Sequence, residues 1–246
     1  MVLLITEKAG CTSLTKWFLF HVGKLDEAAR YHPWTHHYRM SVLYQQPGYY
    51  WQALRLLAFR GKPVIKLVRN PYDRAVSSFL ATLAIAYGNN ARSWAIDLVA
   101  AVRAHAGKPS APVPAMSFRD FLRFLAVNGT ERSQVNGHVA RQYVAGEEAR
   151  LDRIIKLERF VEEIRRLEAE FNLPQSPLGR ITESGHHRSK DRDDALVSPA
   201  GPDVEFTSQQ VHNGSTPHYD AMYDDETRRL VREGFAEDFR AYGYEA

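Results

Sequence analysis

The sequence is poor in the features that mark secreted, membrane-spanning and nucleic-acid-binding proteins. Cys11 is its single cysteine, so no disulfide can form within the chain and nothing indicates an oxidising compartment. The first apolar run, residues 2–5, is too short for a signal peptide or a membrane span, and no later run is long enough. A net charge of +3 is too small to predict a nucleic-acid partner. We therefore expect a cytoplasmic protein without a membrane span and without a nucleic-acid partner.

What the sequence does have is the composition of a folded globular protein. Its 246 residues are 44% hydrophobic and 25% charged, which is enough apolar material for a sizeable core. Positive charge is concentrated in residues 60–74, where five lysines and arginines accompany one acid, Asp73. Such a cluster indicates a local anion-binding site rather than a field over the whole surface.

Short apolar runs alternate with helical periodicities along the chain, and this alternation predicts an α/β fold with a parallel sheet flanked by helices. We expect one domain over residues 1–246, with an irregular stretch at about 173–217. The apolar runs are typical of buried strands and lie at residues 2–6, 63–68 and 153–157. The helical patterns lie at residues 13–23, 51–61, 70–86, 117–125, 158–171 and about 224–241.

The segment ITEKAGCTSLTKWF, residues 5–18, places a small loop between the first predicted strand and the first predicted helix. An anion at the end of a parallel strand is bound by backbone N–H groups of a tight loop and by the positive end of the following helix. Gly10 lets the backbone come close, while Lys8, Thr12 and Ser13 supply charge and hydroxyl donors. The loop therefore predicts a phosphate-like ligand, with a purely structural strand–helix turn as the alternative.

This loop differs from the G-x-x-x-x-G-K-[ST] loop of nucleoside-triphosphate-binding proteins. Its lysine precedes the glycine, and Cys11 occupies the position at which that motif has its lysine. The difference argues against a nucleotide-dependent kinase, which is retained as an alternative hypothesis.

A second anion site is predicted after the next strand, in KLVRNPYDRAVSSF, residues 66–79. Arg69 and Ser77 are eight residues apart, so a strand-to-helix turn could bring guanidinium and hydroxyl to one phosphate. Arg74 could bind the anion at this site, or it could form an ion pair with Asp73 or another helix carboxylate. The sequence favours neither role. Two anion sites at the carboxyl edge of one sheet indicate a ligand with two phosphate-like groups.

Together, the two stretches resemble the sulfotransferase family, whose donor is 3′-phosphoadenosine 5′-phosphosulfate (PAPS). Residues 8–13 complete that family's K-x-G-x-[ST]-[ST] loop, and residues 69–77 complete its R-x-P-x-x-R-x-x-S segment. Looser similarity to the Golgi carbohydrate sulfotransferases and their soluble bacterial relatives lies at residues 137–142, 154–160 and 230–244. The Golgi enzymes have a membrane anchor and luminal disulfides, which we do not expect here. The resemblance implies a P-loop-like fold.

The resemblance also implies roles for individual residues. Lys8 would contact the oxygen that bridges sulfur and the 5′-phosphate, and Arg69 and Ser77 would bind the 3′-phosphate. Cys11 is interpreted as a small packing residue and not as a nucleophile. The expected 5′-phosphosulfate ligands are Lys8, Ala9, Gly10, Cys11, Thr12 and Ser13. Arg188, Ser189 and Lys190 are candidates to close over the adenosine or its 3′-phosphate, with a mobile basic loop as the alternative.

Transfer to an acceptor hydroxyl requires a general base, and histidine is the commonest choice near neutral pH. The stretch YHPWTHH, residues 31–37, offers three histidines, of which we favour His36 and His37. His138 is the rival base, and Arg141 beside it could face an acidic acceptor. No metal is implied, because no carboxylates cluster at ligand spacing.

The sequence thus predicts a sulfotransferase that moves a sulfuryl group from PAPS to an acceptor hydroxyl by in-line displacement. The resemblance favours a saccharide as the acceptor. The alternatives are a P-loop-type kinase and a nucleotide-binding protein without turnover. Neither the identity of the acceptor nor the oligomeric state follows from the sequence.

Overall fold

The computed structural model describes residues 1–59, 61–89, 91–183, 201–214 and 216–246. Its chain divides into two compact units. The first is formed by residues 1–69 and 144–183 and the second by residues 70–143 and 201–246, in each case without the undescribed positions. The single domain expected over residues 1–246 stays a prediction, because local compactness does not by itself define an independently folding domain.

The described residues contain short strands and mostly short helices. The strands are β1 (Val2–Leu4), β2 (Val64–Val68), β3 (Ala115–Ser117), β4 (Arg153–Lys156) and β5 (Glu205–Thr207). The helices are α1 (Cys11–His21), α2 (Leu25–Tyr31), α3 (Thr35–Tyr38), α4 (Tyr49–Ala58), α5 (Pro71–Ile85), α6 (Ser93–His105), α7 (Phe118–Asn128), α8 (Phe160–Glu170), α9 (Leu178–Thr182), α10 (Ser208–His212), α11 (Asp225–Gly234) and α12 (Ala236–Tyr242). None of these helices is both long and apolar enough to cross a membrane.

The first unit contains a parallel sheet of strand order β1-β2-β4. All five residues of β2 are buried, as expected of the central strand of a parallel sheet. The sequence also predicts β1 and β4 to be buried strands, and this is wrong for most of their residues, which are only half-buried. The reason is that β1 and β4 are the outer strands, so each has only one hydrogen-bonded neighbour within the described sheet. The predicted α/β class, with a parallel sheet flanked by helices, is confirmed.

One face of this sheet packs against α1 and α8. The buried cluster that joins them consists of Leu14, Trp17, Ile65, Leu67, Ile155, Phe160, Ile164, Leu167 and Ile181. Ile65 and Leu67 are two positions apart on β2 and therefore share a face. The first helix is thus fixed to the sheet by its apolar side, which leaves its N-terminus at the end of the preceding loop.

A buried carboxylate links α1 and α8 by polar contacts as well. Glu168 accepts hydrogen bonds from the Trp17 indole N–H at 3.0 Å and from the Ser176 backbone N–H at 3.0 Å. Arg165 donates to its other oxygen at 2.6 Å. Burial alone would raise the pKa of Glu168, but the hydrogen bonds from Ser176, Arg165 and Trp17 outweigh it and the pKa is lowered. Glu168 is therefore ionised at neutral pH and holds α1 in place.

The second unit is mainly helical, with one antiparallel pair of strands, β3 and β5. Its core contains a cluster of aromatic rings in which Phe79 contacts Phe118, Phe121 and Phe206. The Ser117 side chain accepts the backbone N–H of Asp120 at 3.1 Å, so the helix start predicted there from the sequence is confirmed.

Two expectations about the C-terminal part are wrong. The stretch at 173–217 was expected to be irregular, yet its described residues include α9, β5 and α10. Strand β5 has three residues and pairs with β3, whose sequence position is distant, so no local pattern indicates it. The single helix expected at about 224–241 is two helices, α11 and α12, with a break at Phe235 (φ −118°). Residues 184–200 lie outside the described residues.

Candidate functional site

The loop after β1 contains two residues in the left-handed region of backbone space. Lys8 has φ 65° and Gly10 has φ 83°. Between them, the Ala9 N–H donates to the Thr6 carbonyl at 3.4 Å, and α1 then begins as the Leu14 N–H donates to the Gly10 carbonyl at 3.2 Å. Residues in the left-handed region reverse the chain direction within a few positions. They therefore allow a helix to begin shortly after the end of a strand.

Gly10 is required by space as well as by conformation. A Cβ atom at this position would lie 2.5 Å from Leu157 Cδ1 and 3.2 Å from Leu67 Cδ2. Both leucines belong to the apolar surroundings of the sheet, Leu67 within the core cluster and Leu157 packed against it. The loop backbone therefore lies close to these leucines, and a side chain at residue 10 would fit only if Leu157 moved.

The N-terminus of α1 has the properties of an anion-binding site. The first N–H groups of a helix have no intrahelical acceptor, and the helix dipole makes this end positive. No acidic residue lies in the first turn of α1, so no side chain of that turn neutralises its positive end. Thr12 and Ser13 add hydroxyl groups there, and Ser13 is 3% exposed. These are the loop residues that the sequence predicts to bind a phosphate-like group.

Arg69 lies at this loop. It follows β2, and its guanidinium Nη1 donates to the Lys8 carbonyl at 3.4 Å. The structure thus brings together one residue from each of the two predicted anion-binding stretches. The sequence predicts Arg69 only as a phosphate ligand, and its contact with the backbone of the donor loop carries no sequence signal, because the two residues are far apart in the chain.

His36 is positioned directly over the start of α1. Its Nε2 atom lies 3.2 Å from Thr12 Oγ1 and 3.3 Å from Cys11 Sγ, and the side chain is almost completely buried. The Trp34 ring packs edge-on against the imidazole, with ring centroids 5.5 Å apart. Of the histidines in residues 31–37, His36 is the one that contacts the predicted anion-binding loop.

His37 occupies a different environment, although it is the next residue on α3. Successive helical side chains point about 100° apart, so the two histidines cannot face the same group. The His37 ring stacks on His32 at a centroid distance of 4.6 Å and lies 5.7 Å from the Tyr31 ring. The two favoured base candidates are therefore separated by the fold.

Several predicted residues belong to the second unit, where the structure gives them local partners. Ser77 is buried on α5. His138 Nδ1 is 2.9 Å from Asn136 Oδ1 and its ring stacks on Trp94, while Arg141 forms an ion pair with Glu131 at 2.6 Å. Their predicted roles stay predictions.

The remaining assignments concern Arg74 and the segment after residue 183. Arg74 is buried in the second unit, and its Nη2 donates to the Gly137 carbonyl at 3.4 Å. Arg188 and Ser189, predicted to close over the nucleotide, lie outside the described residues.

A cavity of about 550 Å³ in the first unit adjoins the end of the loop. Ser13 lines it on one side, with Leu157, Phe160, Arg165 and Thr182 among the residues on the other sides. Its volume is within the range of small-molecule and cofactor sites. In the part of the chain that the structure describes, no group of three or more histidine, cysteine, aspartate or glutamate residues could hold a metal ion.

A family model described as the sulfotransferase family matches residues 1–245. The chain belongs to the sulfotransferase family. The resemblance seen in the sequence is thereby confirmed, and the chain is a transferase enzyme by membership. No curated protein and no solved structure matches it significantly.

The geometry at Gly10 makes a prediction that a matched glycine can check. Gly146 has nearly the same φ, 82°, but nothing lies within 4 Å of its Cβ position. Gly146→Ala should therefore lower the free energy of unfolding by the conformational cost alone, about 1–2 kcal/mol. Gly10→Ala should cost about 1–3 kcal/mol more because the new methyl group overpacks against Leu157 and Leu67. Urea unfolding of both variants measures the difference, and equal losses would contradict the close packing.

Proposed function

We propose that this sulfotransferase takes its sulfuryl group from PAPS and transfers it to a hydroxyl group of a saccharide. The observation that supports this most is the loop at the N-terminus of α1. It combines the family's K-x-G-x-T-S pattern with a left-handed glycine packed against the sheet and a helix end without acidic residues. A 5′-phosphosulfate is an anion of the size and charge that such a loop binds.

Arg69 would bind the 3′-phosphate of the same nucleotide. A guanidinium carries five N–H donors in a planar fork, so a contact with the Lys8 carbonyl is compatible with a bidentate contact to a phosphate. Ser77 keeps the role of second 3′-phosphate ligand that the resemblance implies for it. Because Arg69 also contacts the Lys8 carbonyl, binding of the 3′-phosphate to Arg69 would influence the conformation of the loop.

In the proposed reaction, His36 acts as the general base through Nε2, the ring nitrogen that lies at the loop. The acceptor hydroxyl gives its proton to this nitrogen while its oxygen forms a bond to sulfur. The bond from sulfur to the bridging oxygen breaks, and the electron pair stays on adenosine 3′,5′-bisphosphate. The Lys8 ammonium group would stabilise the charge that develops on that bridging oxygen.

The assignment of a saccharide acceptor draws support from the surroundings of His36. Trp34 contacts the His36 ring and remains about one-third exposed (36%). An exposed aromatic face beside the base can stack on the apolar face of a sugar ring and hold its hydroxyl near Nε2. A cytoplasmic location is proposed on the single cysteine, Cys11, and on the lack of a long apolar run.

The donor assignment predicts a strong preference for a nucleotide with a 3′-phosphate. Adenosine 3′,5′-bisphosphate should bind without a metal and much more tightly than AMP, because Arg69 needs the 3′-phosphate. Arg69→Ala should remove most of that preference, since a charge-assisted hydrogen bond contributes about 1.5–3 kcal/mol. Titration calorimetry measures both nucleotides.

Arg153→Ala is the matched control for Arg69→Ala. Arg153 begins β4 and pairs with Glu170, whereas Arg69 follows the opposite, carboxyl end of the parallel sheet. The control should bind both nucleotides as the wild type does. Equal affinity of the wild type for the two nucleotides would refute the 3′-phosphate site.

The pH dependence of transfer distinguishes the two histidines. Radiolabelled PAPS and a panel of saccharides identify a working acceptor, and the pH–rate profile is then measured with it. In the wild type, activity should fall at acid pH because a protonated base cannot accept the hydroxyl proton. His36→Ala should lower kcat by about 10²–10⁴-fold and remove this acidic limb, with nucleotide affinity unchanged.

His37→Ala serves as the neighbouring control and should keep the acidic limb. If the limb disappears in His37→Ala and persists in His36→Ala, the base has been assigned to the wrong residue. Failure of every saccharide as an acceptor, with transfer to another hydroxyl compound, would reject the acceptor class while leaving the donor assignment intact.

A further inference from the structure

The first unit carries an exposed apolar surface that the transfer reaction does not use. It is formed by three residues of α4, which we call the aromatic face: Tyr50, Trp51 and Leu54, which lie within about 100° of one another around the helix axis. Trp51 is 72% exposed, Tyr50 66% and Leu54 38%. Helix α4 has no buried residue at all, which is unusual for a helix of this composition because helices normally bury their apolar side.

The aromatic face belongs to a helix whose C-terminal end is held by hydrogen bonds from another segment. Gly48, with φ 77°, caps the N-terminus of α4. At the other end, Arg150 donates hydrogen bonds to the carbonyls of Leu57 and Ala58, each at 3.3 Å. The Tyr50 and Trp51 rings contact each other at a centroid distance of 5.7 Å. The exposed side chains therefore project from a positioned helix and not from a loose end.

The chain segment that carries the aromatic face has charge of one sign only. Residues 28–72 contain no aspartate or glutamate, although the chain has 29 of them, and they contain seven lysines and arginines. Within the described residues of this stretch, Arg39, Arg55 and Lys62 form no ion pair. Arg55 is exposed on α4 itself, and Lys62 follows it. The apolar surface is thus accompanied by uncompensated positive charge, which indicates an anionic partner.

A second copy of the chain does not fit this pattern. A two-fold dimer would place the same surface on both sides of the interface, so the cations of one copy would face those of the other without an acid between them. Tryptophan and tyrosine combine an apolar ring with a polar group and concentrate at the boundary between water and lipid. A helix of 10 residues is about 15 Å long and cannot span a bilayer, but it can lie in the headgroup region.

We propose that the aromatic face docks this protein on an anionic lipid surface. Tyr50, Trp51 and Leu54 would enter the boundary between headgroups and acyl chains, while Arg55 and Lys62 contact anionic headgroups. This docking does not depend on the identity of the donor or acceptor, so it can hold even if the proposed function fails.

Vesicle co-sedimentation of the full chain tests the proposal. The probes are vesicles of phosphatidylcholine alone and of phosphatidylcholine mixed with phosphatidylglycerol. Binding should be at least about tenfold stronger to the mixed vesicles, because two or more cations contact the anionic headgroups, and it should weaken as salt is raised. The double variant Tyr50→Ser/Trp51→Ser should bind them at least about tenfold more weakly, because it loses two rings that would enter the bilayer.

Val127→Ser is the matched control, because Val127 is also 72% exposed but lies on α7 in the second unit. It should bind vesicles as the wild type does. Circular dichroism and binding of adenosine 3′,5′-bisphosphate confirm that each variant is folded. Should the double variant fail to fold, Trp51→Phe replaces it: vesicles of the mixed lipid should shift the wild-type tryptophan emission to shorter wavelength, and this shift should be lost in the variant.

Three results would overturn the proposal. The first is equal binding of the wild type and Tyr50→Ser/Trp51→Ser to the mixed vesicles. The second is a concentration-dependent dimer in sedimentation equilibrium that the double variant abolishes, which would make a second copy the occupant. The third is binding to a soluble acidic polysaccharide that exceeds vesicle binding and is lost in the same variant.

Discussion

The close packing of Gly10 against Leu67 and Leu157 determines where the N-terminus of α1 lies. Because residue 10 has no side chain, the loop backbone can lie close to these leucines without displacing them. On the other side, Trp17 anchors the helix in the core through its ring and through its hydrogen bond to Glu168. Apolar packing thus sets the position of the helix end, and with it the position of the first N–H groups of α1, which have no intrahelical acceptor.

This fixed helix end accounts for the arrangement of the polar groups around it. Thr12 Oγ1 lies 3.2 Å from His36 Nε2, and the Lys8 carbonyl accepts a hydrogen bond from Arg69. Each contact joins the loop to a different element, one to α3 and one to the residue after β2. In the proposed reaction the same contacts would align the donor anion, the base and the 3′-phosphate ligand before the acceptor binds, so little reorganisation would be needed during transfer.

The α/β class, the three parallel strands of the first unit and the position of the loop between β1 and α1 could be predicted from the sequence, because each depends on local pattern or on a short motif. The contacts of His36 with the loop could not, since nothing in a run of three histidines tells which one faces another element. Strand β5 was missed for a related reason: with three residues, it is stabilised by pairing with distant β3 and not by its own sequence. Whether aromatic residues such as Trp51 are core or surface is likewise decided by tertiary packing, and the structure exposes this one.

The central claim is that the loop at α1 catalyses sulfuryl transfer and does not merely bind a nucleotide. It is tested most directly by assaying Lys8→Ala for both turnover of PAPS and affinity for adenosine 3′,5′-bisphosphate, with Lys24→Ala, a lysine paired with Glu27, as the control. Lys8 is proposed to act on charge that develops on the leaving oxygen, so kcat should fall by about 10²–10³-fold while product affinity changes far less than in Arg69→Ala. If nucleotide binding weakens while turnover at saturating PAPS stays near the wild-type rate, Lys8 is a binding residue and the account of catalysis is wrong.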